Sequence, residues 1–437
     1  MNLRWSRAFA LFAAAMGPLA LAPPAAALHY LDPEISIADL LSEKAAEEKA
    51  PGEEKGQPDS GGGTEPREEG EQAPEGEAAA ERRWAILPQL GFGPETGVLF
   101  GAKFSDRDFL GSGVNLDLDA VFSLKDQEQV ILEVGSPDSL GERFPILVRA
   151  VFDLDPRRRF FGLGNNDVGP DPASSHEIQR FGGDITVGWR VIDDLSLNLQ
   201  VGGWDTDIRD GQRVDDSPPT PDRFPDLPGI DGGRMIPLAA SLVYDDRDSL
   251  VRPTEGWRVL AKVMGVSSSI GSDFDFVRLL GDVGYLYPFF DDRLVLGGRI
   301  GGQWLGGDFE DIPFWGLADL GGEDIARGYF PYRFLGTSEV YGGIEARVGL
   351  FGFDLFDWWR IQVDAVPFAE VGRVFLDNDD LVFQGEDQGP FKQTDDWRFS
   401  YGGGVRVGFS EAMVVRIDVG FSDEETGLVY LTFGHSF

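Results

Sequence analysis

From Trp84 to its carboxyl terminus the chain is written in segments of alternating oily and polar residues, and this period of two constrains the fold most. The clearest segment is Arg398 to Phe409: Phe399, Tyr401, Val405, Val407 and Phe409 share one parity, and Arg398, Ser400, Gly402, Gly404, Arg406 and Gly408 share the other. The next segment repeats the pattern, with Val415, Ile417, Val419 and Phe421 set against Arg416, Asp418 and Gly420. Side chains of a strand point alternately to its two faces, so each segment carries one oily and one polar face. Such strands suit a soluble sandwich or a membrane barrel. Length separates the two. These segments reach about ten residues or more, which matches a tilted bilayer crossing rather than the roughly five or six residues usual in soluble sheets.

Counting from Trp84 gives about sixteen segments, the even number expected of a bacterial single-chain barrel. They start near residues 84, 96, 112, 127, 144, 175, 195, 234, 256, 274, 292, 339, 359, 397, 412 and 427. Connections alternate between short ones, such as Ile192-Asp193-Asp194 and Asp291-Asp292, and long ones at 155–174, 206–233, 306–338 and 376–396. Tight periplasmic turns alternating with longer outer loops give that pattern, with both barrel ends in the periplasm. The expected fold is all-β: a transmembrane antiparallel barrel over 84–437.

The remainder reads differently. Residues 1–27 have the form of a secretory signal, with Arg4 and Arg7, an apolar run from Ala8 to Leu21, and Ala25-Ala26-Ala27 as a cleavage site. The alternative is an anchor helix, but Gly17 and Pro18 interrupt the run. Residues 28–83 form an acidic arm; 42–83 are almost devoid of large apolar side chains, too few to offset the entropy of ordering, and are expected to be disordered in the periplasm. A formal net charge of −37 argues against nucleic acid as a partner. The absence of cysteine removes disulfides, thiolate metal sites and cysteine nucleophiles, and the three histidines (His29, His176, His435) are scattered. No cofactor, metal site or enzymatic activity is expected. The aspartates of loop 206–233 lack EF-hand spacing and read as solubilising charge, with divalent bridging to an anionic leaflet as the alternative.

Three segments resemble the BamA/TamA superfamily of outer-membrane assembly and translocation barrels. Tyr244-Asp245-Asp246-Arg247-Asp248 with Pro253-Thr254-Glu255-Gly256-Trp257 looks like that family's periplasmic turn between strands eight and nine. Gly321-Gly322 followed by Ala326-Arg327-Gly328-Tyr329 is similar to the tip of its long sixth outer loop, between strands eleven and twelve. Phe368-Ala369-Glu370-Val371-Gly372 resembles its aromatic-x-Asp-x-Gly on strand thirteen. Phe160 to Asn166 adds a likeness to surface-antigen members. The chain departs from the family in Ala326 for a branched residue, Glu370 for Asp, and an acidic arm where larger members carry POTRA domains. It therefore resembles a short, POTRA-less branch.

The resemblance implies a sixth loop folded back into the lumen and locked there by Arg327, Gly328, Tyr329, Glu370 and Gly372. Parity independently sends Arg258, Lys262, Arg299, Arg347, Arg406 and Arg416 inward, with Asp282, Glu345, Asp364, Glu370 and Asp418. Such a lining can be a rigid self-satisfied network, a polar path or a docking site for the loop. Gly328 is expected to let the loop turn tightly, and Pro367 to bulge or kink strand thirteen. Pro88, which has no N–H to donate, and Gly91 weaken the first strand at the seam, where the family is thought to admit clients. The last strand, with Phe433 and a terminal Phe437, looks like the signal read by the barrel assembly machinery. Implied partners are outer-membrane lipids, that machinery, and client proteins or lipids. The second reading is a passive pore or surface-antigen barrel without clients.

Overall fold

The computed structural model describes residues 84–136, 143–167, 169–290, 292–355, 359–376, 394–409 and 413–433. The signal, the acidic arm, His435 and Phe437 lie outside these residues. Sixteen antiparallel strands close into one barrel. The first eight are β1 (Trp84–Gly93), β2 (Gly97–Asp106), β3 (Asn115–Ser123), β4 (Glu128–Ser136), β5 (Ile146–Phe160), β6 (Ser174–Ile192), β7 (Leu195–Arg209) and β8, which runs as Gly233–Met235 and Pro237–Asp245. The second eight are β9 (Gly256–Val266), β10 (Phe276–Phe289), β11 (Leu294–Gly306), β12 (Ser338–Leu355), β13 (Trp359–Phe375), β14 (Arg398–Phe409), β15 (Met413–Phe421) and β16 (Leu428–Phe433). Each pairs with its sequence neighbours, and β1 meets β16. The expected starts hold to within three residues. The largest displacement is at β3, where a 3-10 turn (Phe109–Gly111) and Gly113 at φ 70° occupy the connection.

The alternation is realised inside out. On β14, Phe399 and Tyr401 are exposed while Arg398, Ser400 and Arg406 are buried. Exposed Ile86, Leu90, Trp189, Leu199, Tyr287, Ile300 and Ile344 continue the oily outer face around the wall. Among the described residues no helix is long and apolar enough to cross a membrane; the strands carry the crossing, because a closed barrel satisfies every backbone group internally. Ile361 departs from the pattern: it lies on the outward parity of β13 yet is buried, in register between Phe353 and Phe409.

Pro367 does not produce the expected bulge. Register between β12 and β13 is lost only between Glu345↔Phe368 and Val348↔Ala365 and resumes unshifted; the bulge lies further along, between Gly349 and Phe351. A missing donor opens the ladder locally, and the flanking pairs hold its register.

The barrel is uneven in height. β6, β12 and β13 have 19, 18 and 17 residues, whereas β1 has 10 and β16 has 6 among the described residues. The long-loop end is closed by an apolar cluster. Phe224, Leu227 and Ile230 from loop 210–232 pack with Phe309, Ile312, Phe314 and Leu317 from loop 307–337, against Phe160, Ile178 and Trp204 of the wall. The aspartate-rich loop is therefore more than solubilising charge. Its apolar residues, spaced between the aspartates, fold inward.

Candidate functional site

Loop 307–337 carries a small hairpin, Ala318–Leu320 paired with Phe334–Gly336, and its tip lies between the two arms. Arg327 at the tip is fully buried. Its Nε donates to Glu370 Oε1 (2.8 Å), its backbone N–H to Glu370 Oε2 (2.8 Å), and its Nη1 to Asp418 Oδ2 (2.9 Å). The Glu345 carboxylate stands 3.7 Å from the same Nη1. The guanidinium also lies 3.4 Å from the Phe368 ring centroid, a cation–π contact in a site closed to water. Ser400 Oγ donates to Glu370 Oε2 (2.8 Å), so both oxygens of that carboxylate are engaged. All of these partners belong to the buried parity of β12 to β15.

The network extends on both sides. Arg406 donates to Asp418 and faces Glu345 at 3.6 Å; Arg347 donates to Glu345 Oε1 (2.8 Å); Arg416 reaches Asp324 (3.3 Å) and the Glu323 carbonyl (2.9 Å) of the loop. Four guanidinium groups are thus set against Glu345, Glu370, Asp418 and Asp324. Beyond the tip, the Tyr329 hydroxyl donates to Asp423 (2.6 Å), Ser422 Oγ donates to the Gly328 carbonyl (2.7 Å), and the Tyr430 hydroxyl donates to the Tyr329 carbonyl (3.2 Å). Arg333 forks onto Glu424 (2.6 Å) and also donates to Asn166 Oδ1 (3.0 Å).

Gly328 serves this site for a different reason from the one expected. It is absent from the positive-φ residues; the left-handed residue is Ala326, at φ 56°. A β-branched side chain at that φ would be a steric outlier, which the unbranched Ala326 eases. Gly328 is required by close approach, since a Cβ there would collide with the Phe421 carbonyl. Gly372 likewise leaves room for Leu320, whose Cδ1 would lie 2.7 Å from an added Cβ.

The turn between β8 and β9 is built around aspartates. Arg247 forks onto Asp245 (2.8 and 2.7 Å), Tyr244 donates to Asp246 (2.8 Å), and Asp248 accepts from the Thr254 and Glu255 amides (2.7 and 3.1 Å). Gly256 turns at φ 113°. The Pro253 carbonyl accepts from Arg347 (2.8 Å), so the turn joins the buried network.

At the seam, β1 pairs with β2 over all ten of its residues but meets β16 in register only at Phe92↔Leu431 among the described residues. Pro88 is paired toward β2, opposite Ala102, and a Cβ on Gly91 would lie 3.2 Å from the Leu431 carbonyl. Phe433 ends the described part of β16, opposite Val415.

The model of the Omp85 superfamily domain matches residues 89–437. The chain belongs to the Omp85 superfamily. Its structure is similar to BamA from Haemophilus ducreyi in a form lacking POTRA domains 1–3, with a TM-score of 0.60 and 14% identity, over 81% of this chain and 70% of that one. It is also similar to CdiB from Escherichia coli, with a TM-score of 0.53 and 12% identity, over 80% of this chain and 62% of that one. No curated protein matches by sequence. As an Omp85 barrel the protein resides in the bacterial outer membrane, and its oily belt faces lipid.

In this Omp85 barrel the residues missed by sequence reasoning are Phe161, Asn165, Asn166, Arg333 and the 422–424 triplet. Asn165 and Asn166 receive Arg398 and Arg333, and Phe161 stacks on Phe330 at 6.1 Å. The Phe160–Asn166 likeness was the available signal, but not its partner.

Two outcomes follow. Arg327→Ala takes away the cation that Glu370 pairs with, a loss of roughly 3–5 kcal/mol for a desolvated pair. Glu370→Ala costs less, because Asp418 still holds Arg327 Nη1 while Nε and the backbone N–H lose their acceptor. Heat-modifiability and loop proteolysis of both singles and the double should show strongly non-additive losses, and additive losses would contradict the pairing. The second concerns Glu323. Burial, reinforced by Asp324, pushes its carboxyl up to about 8 from 4.5, and Arg416 only partly offsets this. A raised carboxyl favours the seated loop when neutral, so loop stability present below pH 4.5 declines as pH rises through 8. Proteolysis within loop 307–337 should accelerate over that window, and Glu323→Gln should flatten the profile. A flat profile in the unmodified protein would refute it.

Proposed function

We propose that this barrel aids the insertion or translocation of proteins or lipids at the outer membrane through the seam between β1 and β16, with loop 307–337 seated in the lumen as a lock. The observation that carries the reading is the seam itself: among the described residues one registered pair joins β1 and β16, fewer than at any other junction of the barrel. Opening a barrel costs the ladder bonds that are broken, so it opens where fewest are made. An exposed edge there can pair with an incoming strand.

The lumen supports a lateral route over a central one. The apolar cluster at the long-loop end and the salt-bridged loop tip below it occupy the path that a passive pore would use. In this reading Arg327, Gly328, Tyr329, Glu370 and Gly372 hold the loop, and the 244–256 turn braces Arg347 from the periplasmic side. Phe433 and Phe437 serve recognition by the assembly machinery, and lipids contact the belt.

A staple tests it. The chain has no native cysteine, so Phe92→Cys with Leu431→Cys gives one defined seam disulfide. In liposomes, oxidation should abolish acceleration of client-barrel folding or lipid movement, and reduction should restore it. Unchanged activity with the disulfide formed would refute the seam route, and ion conductance indifferent to the disulfide with no such activity in either state would favour the passive pore.

A further inference from the structure

The turn at the long-loop end of β1 is tied down by a contact that neither the lock nor the seam ladder uses. It holds Glu95, three positions beyond Phe92, the registered seam residue. The Glu95 side chain is largely buried, with Oε1 3.4 Å from Arg159 Nε at the end of β5. Neither atom has a hydrogen-bond partner among the described residues. The Arg159 guanidinium lies 4.2 Å from the ring centroid of Phe330, the residue after Tyr329 in the locked loop, and 3.5 Å from Asp215 of loop 210–232. Lys125, in the next long-loop-end turn, donates to the Pro94 carbonyl (3.0 Å). The free edge of the seam is therefore clamped from β5, from the turn after β3 and, through Arg159, from the long loop.

We propose that Glu95 and Arg159 form a latch that holds the outer end of β1 against the long loop, so that the seam opens when Glu95 leaves its seat. The proposal rests on the seam being the working site. Seated Glu95 is largely buried and its Oε1 accepts no hydrogen bond among the described residues, so the neutral carboxyl is favoured there. Arg159, Arg158 and Lys125 favour its charge and Asp155 opposes it, but burial outweighs them and pushes the carboxyl up to about 7. With the seated value above the ordinary 4.5, the latch holds fully on the acid side and loosens as pH rises through 7.

The test places spin labels at Phe92→Cys and Leu431→Cys in the full chain in liposomes and measures their separation from pH 5 to pH 9. The unmodified latch should give a single short distance at pH 5, with a longer population appearing with a midpoint near 7. Glu95→Gln, neutral throughout and of the same shape, should keep the short distance to pH 9. Glu95→Ala should show the longer population at all pH values. Gly91→Val, a wedge against the Leu431 carbonyl, reports whether the labels detect opening. Widening in Gly91→Val with no effect of either Glu95 variant or of pH would overturn the latch and leave the seam reading standing. No widening in any variant would overturn both.

Discussion

A guanidinium shut away from water is tolerable only where carboxylates meet it, and the interior of this barrel is arranged around that requirement. Arg327 arrives from a loop, so its partners must come from the wall. Glu370 on β13, Asp418 on β15 and Glu345 on β12 converge on it from three strands. Removing the loop would leave three buried carboxylates facing Arg347, Arg406 and Arg416 without their shared central cation. Removing the wall charges would strand the loop. Each holds the other in place, and the loop's apolar residues can then seal the long-loop end.

The same constraint explains the inverted core. Lipid outside demands an apolar surface, so the charged residues have only the interior, where each must find a partner. The tall wall, from β5 to β7 and again at β12 and β13, supports both the apolar seal and the deepest part of the network. The seam lies on the short side, where β16 contributes six described residues. The loop's contacts to β14, β15 and β16 and to residues 422–424 are direct, whereas its tie to β1 is indirect, through Arg159. The last strands are braced by the loop, and the first is braced mainly at its outer turn.

Much of this was legible in the sequence, for a physical reason. Period-two alternation reports which face each residue takes, so the strand starts and the inward placement of Glu370, Arg406, Arg416 and Asp418 could be read locally. Alternation does not report who stands opposite across the lumen. Arg333 and Asn166 are 167 residues apart, and Arg327 and Asp418 are 91 apart; their meeting depends on how the closed barrel brings distant loops and walls together. The pairing of Arg327 with Glu370 came from resemblance to a known family and from parity together. The role of Gly328 was misjudged because close approach and positive φ both call for glycine, and a sequence cannot distinguish them. Parity alone also cannot show that Ile361 is buried, because Phe353 and Phe409 stand beside it only across the neighbouring strands.

The lock requires the tip of the long loop to be seated and dry. Hydrogen exchange of the full chain in lipid bilayers, followed for the peptide spanning residues 323–335, measures this directly. The Arg327 amide is bonded to Glu370 and the tip is buried, so exchange should be as slow as in β13 and β14. Exchange at the rate of an open, solvated loop would contradict the central claim.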